Sequence, residues 1–297
     1  MPQHVVISGA SGLIGTALAA ALRADGAEVT ELVRRVPRGP HEARWSPADG
    51  RLDPEILAGA DAVVALGGAS VGHLPWTKSY QRTLVNSRLD STRTIVTAVR
   101  ALGADAPALI SASAVGFYGS APDEILTERS PAGDTFLARL CVAWEGEARR
   151  AEDQTRVALL RTAPIVERDG VLAPLIRMTK LGVGGPLGRG TQYWPWISLD
   201  DEVRAIRHII DNEIAGPVNL TGPARATAND LGRAVAHELH RPFWLPAPAW
   251  ALRLGLSAAA ADSLLLADAD VRPVVLEESG FVFTHPTVRE AVAAALA

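Results

Sequence analysis

The sequence predicts an α/β protein: a doubly wound parallel sheet with a smaller, mainly helical C-terminal lobe. Short apolar strands alternate with longer helical segments over residues 1–166, as expected for a series of βαβ units. From residue 167 a glycine-rich loop leads into segments rich in Ala and Leu. Since 297 residues exceed what one core usually serves, we expect a large domain over 1–166 and a smaller substrate-side lobe over 167–297.

The individual elements follow from hydrophobic periodicity. Buried-type strand character marks residues 4–8, 26–35, 60–69, 106–114 and 156–166, whereas helical spacing marks 13–24, 80–102 and 136–152. Beyond the glycine-rich loop, WPWISLDDEVRAIRHII predicts a strand, a turn capped by Asp200, and a helix. GPVNLTG predicts one more strand, so a strand–helix unit near 194–222 is expected to return to the sheet.

Composition excludes several classes of protein. The net charge of −4 provides no basic surface for nucleic acid. One cysteine excludes an internal disulfide framework and a zinc–thiolate site. We expect His237 and His240, spaced H-x-x-H, to lie on a helix surface, and we expect no metal site. The N-terminus has no signal-peptide pattern, and no apolar run is long enough to span a bilayer. A cytoplasmic protein without a membrane partner is therefore expected.

The segment GASGLIG joins the first strand to the first helix with the spacing G-x-x-G-x-x-G. Glycines at this position allow a tight turn and let backbone N–H groups approach a pyrophosphate at the helix N-terminus. This context predicts a dinucleotide-binding, Rossmann-type domain, with a purely structural turn as the alternative. The predicted contacts are Gly9, Ser11, Gly12, Leu13, Ile14 and Gly15.

The end of the second strand indicates which dinucleotide is bound. An acidic residue there is typical of NAD sites, and arginine is typical of NADP sites. Here Arg34 and Arg35 follow Val33, whereas Glu31 lies earlier within the strand. The sequence therefore predicts NADP, with NADPH preferred over NADH. The alternative is that both arginines are ordinary solvated surface residues.

Several motifs together resemble the extended short-chain dehydrogenase/reductase superfamily, which contains the nucleotide-sugar epimerases. They are GASGLIG, LVRR and SASAVGFYG. GDTFLARLCVAWE, GGPLGRGTQYWPWISLDD, GPVNLTGP and the tail LPAPAWALRLGL…LEESGFVFTHPTVREAV are similar to one atypical, epimerase-like branch of it with a distinctive C-terminal domain. The resemblance implies a bound nicotinamide cofactor and a small lobe that closes over its nicotinamide end. Further predicted cofactor contacts are Leu66, Gly67, Gly68, Arg88, Ser111, Cys141 and Pro164.

The chemistry of this superfamily implies a Tyr-x-x-x-Lys pair, in which the lysine lowers the tyrosine pKa. With Glu145 setting the register, Leu137 stands at the tyrosine position and Cys141 at the lysine position. The resemblance further implies that the upstream serine survives as Ser113 and that Arg88 replaces an asparagine. A neutral thiol cannot lower a neighbouring pKa, so the usual epimerase chemistry does not carry over.

Four residues remain as candidates for catalysis: Ser113, Tyr118, Cys141 and Arg88. Tyr118 is expected at the carboxyl edge of the sheet, where ligands bind. Cys141 has three interpretations, namely a reactive thiol, a cofactor-lining residue or a core residue. The core interpretation arises because Leu137, Cys141 and Trp144 recur with helical spacing.

The resemblance also places GGPLGRGTQYWPW beside the substrate pocket, with Arg189, Gln192 and Trp196 as predicted contacts. A turn packed by tryptophans is the alternative. Relatives that pair through two long helices suggest a possible homodimer through 80–102 and 136–152. Two functions remain: an NADP-dependent oxidoreductase or epimerase-like enzyme on a small polar substrate, or an NADPH-binding sensor or partner-binding module without turnover.

Overall fold

A central parallel sheet with helices on both faces organises the molecule. The computed structural model describes residues 3–170 and 172–297. In chain order its elements are β1 (His4–Ser8), α1 (Leu13–Ala24), β2 (Glu28–Val33), β3 (Glu42–Arg44), β4 (Ala62–Ala65), α2 (Lys78–Leu102), β5 (Ala108–Ala114), β6 (Ile125–Leu126), α3 (Phe136–Ala148), β7 (Val157–Thr162), β8 (Ile165–Val166), α4 (Leu172–Lys180), β9 (Ile197–Ser198), α5 (Leu199–Asp211), β10 (Gly216–Leu220), α6 (Ala228–Glu238), α7 (Ala249–Leu256), α8 (Ala258–Leu264), β11 (Asp270–Val271), α9 (Val274–Glu278) and α10 (Val288–Leu296).

The main sheet has seven strands in the spatial order β3-β2-β1-β4-β5-β7-β10, and all neighbours run parallel. The order reverses between β1 and β4, which is the topological switch point where doubly wound sheets bind ligands. The predicted fold class is therefore confirmed, and GPVNLTG is the returning strand β10.

Both faces of the sheet are buried, which explains why the strands are almost continuously apolar. In β1, Val5 and Ile7 pack into the core shared with α1 and α5, whereas Val6 points to the opposite core under α2. The fully buried β4, AVVA, alternates between the same two cores. The helices therefore meet the sheet through continuous apolar surfaces that fix their positions over it.

Three details differ from the sequence-based expectation. The polar segment after β2 contains an extra edge strand, β3, which lacks the apolar pattern of an inner strand. The prediction that Asp200 caps a helix is wrong, because β9 runs directly into α5. Ser198 is the cap, and its Oγ accepts from the Asp201 N–H at 3.1 Å. The helix expected over 136–152 ends at Ala148 and continues as a 3₁₀ turn, Arg149–Ala151.

The region after the sheet is mainly helical, as predicted. Its core is a cluster in which Trp194 and Trp196 pack with residues of α6 and α10. A second cluster joins α8 of this lobe to α2 and α3 through Ala260, Leu84 and Leu140. Among the helices of residues 3–170 and 172–297, none combines the length and the apolar character that crossing a membrane requires.

Candidate functional site

The turn after β1 requires glycine at two positions, Gly9 and Gly15. Gly9 has φ +77°, and a Cβ there would lie 2.9 Å from the Leu66 carbonyl carbon. A Cβ at Gly15 would lie 2.3 Å from the Gly9 carbonyl oxygen. Both distances are shorter than real Cβ contacts, so a larger residue at either position would clash with the backbone of the turn. The sequence thus makes a narrow backbone cradle where β1, β4 and α1 meet.

The N-terminus of α1 is open above this cradle. Gly12 is the N-cap and provides no side-chain bond, and the first turn carries no acidic residue. Ser11 and Gly12 are exposed, as is Leu13 at the first helical position. Free N–H groups and the helix dipole favour an anion at such a position. The cradle residues therefore fit the pyrophosphate of a dinucleotide.

The two arginines after β2 lie in different surroundings. Arg35 binds Glu42 of β3 with both terminal nitrogens, at 2.6 and 2.5 Å. The bonds from Arg35 and from the Arg38 N–H lower the pKa of Glu42 to about 2. The charge of Arg35 is therefore balanced within the protein. Glu31 pairs with Arg23 at 2.8 Å and likewise offers no free carboxylate to a ribose.

Arg34, which follows β2, lines an open groove of about 540 Å³ together with Arg44 and Arg51. In the described part of the chain, none of these three arginines forms an ion pair. The groove is also lined by Asp49 and Asp53, so its arginines exceed its carboxylates by three to two. Sequence reasoning missed Arg44 and Arg51, which lie in the polar segment rich in Pro and Arg that follows β2. The clue was the density of arginines in it; β3 places Arg44 beside β2, and Arg51 lines the same groove.

The position of the usual catalytic pair is apolar and buried. Leu137 and Cys141 of α3 are 8% and 1% exposed, and both belong to the cluster beneath α8. Burial raises the pKa of the Cys141 thiol to about 12, and the nearby Glu145 carboxylate raises it further, against smaller effects of Ser113 and Arg88. The thiol is therefore neutral near pH 7, which argues against a reactive cysteine.

A buried ion pair lies behind this position. Arg161 of β7 binds Glu145 of α3 through Nε at 2.8 Å and Nη2 at 2.9 Å, and both side chains are 4% exposed. The Ser113 hydroxyl donates to the same Glu145 carboxylate at 2.8 Å. Ser113 is thus held in place by Glu145, and its proton is used in this hydrogen bond.

Tyr118 belongs to the same buried network. Its hydroxyl donates to Asn219 Oδ1 at 2.6 Å and accepts from Arg161 Nη1 at 2.9 Å. Burial raises the pKa of Tyr118 to about 12, although Arg161 opposes the shift. The side chain is 2% exposed. This arrangement favours a structural role for Tyr118 over that of a proton donor.

Arg88 is the one predicted catalytic residue whose functional group keeps a free edge. Its Nη1 donates to the carbonyl oxygens of Ala69 and Leu84, both at 3.1 Å. The guanidinium carbon lies 5.1 Å from the centre of the Trp144 ring. Among the described residues it has no carboxylate partner, and Nε and Nη2 make no hydrogen bond. Burial lowers its pKa, yet an arginine stays charged near neutral pH.

The loop after β4 connects Arg88 to the cradle. A Cβ at Gly68 would lie 3.2 Å from the Arg88 Cζ, and the backbone of Leu66 and Gly67 touches Gly9. Of two other predicted cofactor contacts, Ser111 is fully buried in the middle of β5, and Pro164 follows β7. The structure thus brings Gly9, the loop after β4 and Arg88 together at the switch point, whereas Ser111 lies within the sheet.

The three predicted substrate contacts are separated by the structure. Gln192 and Trp196 are each 1% exposed, and their side chains donate to backbone carbonyls. Trp196 also packs on Gly222, where a Cβ would lie 2.6 Å from its ring. These contacts favour packing roles. Arg189 remains at the surface and bonds Asp268 at 2.6 Å. His237 is exposed and pairs with Glu238, as expected for a helix surface.

Comparison with known proteins agrees with this architecture. The model of the NAD dependent epimerase/dehydratase family matches residues 5–220, and that of a domain of unknown function, DUF1731, matches 247–295. An epimerase family protein of Mycobacterium leprae is 40% identical over 291 residues, covering 97% of this chain and 94% of that protein. The mouse epimerase family protein SDR39U1 is 30% identical over 296 residues, covering 98% of each chain.

A crystal structure of human epimerase family protein SDR39U1 (isoform 2) with NADPH superimposes with a TM-score of 0.90 and 27% identity, over 99% of both chains. The resemblance to an atypical, epimerase-like branch with its own C-terminal domain is thereby confirmed. From residue 5 to residue 220 the chain matches one family model, and its relatives match it almost end to end; it belongs to the NAD-dependent epimerase/dehydratase family.

Proposed function

We propose that this protein binds NADP(H) at the glycine cradle, in preference to NAD(H). The carrying observation is the groove that contains Arg34, Arg44 and Arg51, none of which forms an ion pair among the described residues, although Asp49 and Asp53 also line it. A 2′-phosphate placed there would complete charge-assisted hydrogen bonds that the 2′-hydroxyl of NAD cannot make. The NADPH bound to human SDR39U1 supports the same assignment.

We further propose that the protein is an oxidoreductase acting on a small polar carbonyl compound. The bound cofactor would supply the hydride, and solvent water would supply the proton that converts the resulting alkoxide into the alcohol. Arg88 would stabilise the negative charge that develops on the carbonyl oxygen, since its Nε and Nη2 edge is free. Cys141 leaves the lysine position without a cation, so Arg88 on α2 would provide the positive charge from another helix. Ser113, held by Glu145, would shape the pocket as a hydrogen-bond acceptor.

A second candidate is an NADPH sensor without turnover. It is favoured by the commitment of Ser113 and Tyr118 to the buried network around Arg161. Neither residue presents a transferable proton near neutral pH in this arrangement. The two candidates share the cofactor site and differ only in whether a carbonyl compound is reduced.

Calorimetric titration should find NADPH bound at least tenfold more tightly than NADH, about 1.4 kcal/mol. Arg34→Ala should remove most of this preference, because the groove loses the cation that follows β2. Arg35→Ala is the matched control and should leave the preference nearly unchanged, since Arg35 is paired with Glu42. Equal affinities for NADPH and NADH in the unmodified protein, or a larger effect of Arg35→Ala, would contradict the assignment.

Turnover tests the role of Arg88. With NADPH and a panel of small aldehydes and ketones, Arg88→Met should lower kcat/KM about 10²–10³-fold, the usual effect of removing one charge-stabilising donor. Arg88→Lys should retain an intermediate rate, and the Kd for NADPH, measured for each variant, separates a loss of cofactor binding from a loss of turnover. Tight NADPH binding without reduction of any carbonyl compound in the panel would favour the sensor.

A further inference from the structure

Two segments of the C-terminal lobe expose most of the large apolar side chains. Of the eleven such side chains that are exposed among the described residues, six lie within 172–185 and 239–257. Isolated exposed apolar residues are ordinary, but such a concentration marks an interaction site. We call these six the apolar lobe face: Met178, Leu181, Trp244, Leu245, Trp250 and Leu254.

The two segments abut. The Trp244 indole N–H donates to the Gly182 carbonyl at 2.9 Å, and the backbone N–H groups of Trp244 and Leu245 donate to Gly184 at 2.9 and 3.1 Å. α7 follows directly, and none of its residues is buried. Trp250 and Leu254 stand four residues apart on one side of α7 and are 69% and 82% exposed.

The charge of these segments is one-sided. They contain four cations, Arg177, Lys180, Arg241 and Arg253, and no carboxylate, although acidic residues outnumber basic ones 33 to 29 in the whole chain. All four cations are exposed. Arg253 is paired with Asp262 of α8, whereas the other three form no salt bridge among the described residues. An occupant of this face should therefore be apolar in part and anionic.

We propose that the apolar lobe face docks on the surface of a bilayer that contains anionic lipids. Tryptophan and leucine side chains enter the headgroup boundary while arginine and lysine bind acidic headgroups, and neither requires a membrane-spanning helix. The sequence alone predicts no membrane partner because it shows no span, and docking on a bilayer surface needs none. A second copy of the chain fits less well, because a two-fold contact would place like charges opposite each other.

Sedimentation with vesicles tests the proposal. The full chain should bind vesicles of phosphatidylcholine mixed with phosphatidylglycerol at least tenfold more tightly than vesicles of phosphatidylcholine alone, and high salt should weaken this binding. Trp250→Ala combined with Leu254→Ser should reduce it at least tenfold. Both side chains are exposed, so the fold should persist, as circular dichroism and an unchanged Kd for NADPH would verify. Val282→Ser, at a site 72% exposed elsewhere, is the matched control.

Lack of binding to the mixed vesicles at low salt would overturn the proposal, as would equal binding by the double variant. A mass by light scattering that doubles with concentration, and halves in the double variant, would assign the face to a second copy instead. Because NADPH affinity is measured on the same samples, failure of the docking proposal is distinguishable from failure of the cofactor assignment.

Discussion

Replacing Arg161 with Met should lower the free energy of unfolding by about 3–5 kcal/mol, because a buried charge is left without its partner. Glu145 would remain in the interior, 4% exposed, with only the Ser113 hydroxyl as a donor. Tyr118 and the Glu128 carbonyl would also lose a donor. Urea unfolding at neutral pH, followed by far-ultraviolet circular dichroism, measures the change.

Two further variants distinguish the loss of a buried ion pair from the loss of an exposed one. Arg161→Met with Glu145→Leu should recover part of the loss, because no unpaired charge remains, although Tyr118 still lacks its donor. Arg149→Met removes an exposed pair with Glu152 and should change the stability by at most about 1 kcal/mol. If Arg161→Met destabilised the protein no more than Arg149→Met does, the buried network would not have the role assigned to it.

The inner strands could be predicted from sequence because strands buried on both faces are almost continuously apolar. The long helices could be predicted from the spacing of their apolar residues. β4, with four fully buried residues, is the clearest case. β3 could not be predicted in the same way, since an edge strand of three half-buried or exposed residues leaves no such pattern. Its register with β2, Val33 opposite Arg44, depends on tertiary pairing. For the same reason, the sequence did not indicate that Arg44 lies in the groove beside Arg34.

Some residues of the candidate site could be predicted from the sequence, and others could not. The glycine cradle was predictable because a backbone constraint acts through neighbouring residues. The separation of Arg34 from Arg35 was not, because it depends on Glu42 in the unpredicted strand. An arginine inside the buried strand VALLRT was a signal left unused, since a charge there requires a counter-charge. The identity of that counter-charge, Glu145, and the contacts with Ser113 and Tyr118 depend on the tertiary structure.

The buried network also explains how the fold persists without the usual catalytic pair. Arg161 connects α3 to β7 through Glu145 and reaches Tyr118 and the Glu128 carbonyl beyond it. Its guanidinium carbon lies 3.5 Å from the centre of the Phe117 ring. The carboxyl ends of β5 and β7 are thus tied to α3 by charge and hydrogen bonds.

Glu202 should make the protein less stable as the pH rises. The carboxyl is fully buried beneath β7, where Oε1 accepts from the Thr162 hydroxyl at 2.8 Å and Oε2 has no partner among the described residues. Burial raises its pKa from 4.5 to about 8, against a smaller effect of Thr162. The folded protein therefore keeps this proton between about pH 4.5 and about pH 8, while the unfolded chain releases it.

The direction of this pH dependence follows from the number of protons that the folded and unfolded states bind. Because the folded state binds more protons over this interval, its stability falls by up to about 1.4 kcal/mol per pH unit as the pH rises. Glu202→Gln removes the titration and keeps an acceptor for Thr162. The stability of the variant relative to the unmodified protein should therefore increase steadily from about pH 5 to about pH 8. Urea unfolding across this range measures both proteins.

The matched control is Glu152→Gln, at an exposed side chain that pairs with Arg149 on the surface. Its stability curve should follow that of the unmodified protein over the whole range, because exposed pairs contribute little. Parallel curves for Glu202→Gln and the unmodified protein would contradict the prediction and would require a counter-charge for Glu202. A difference that grows with pH would instead establish a neutral carboxylic acid buried beside Thr162 at the carboxyl end of β7.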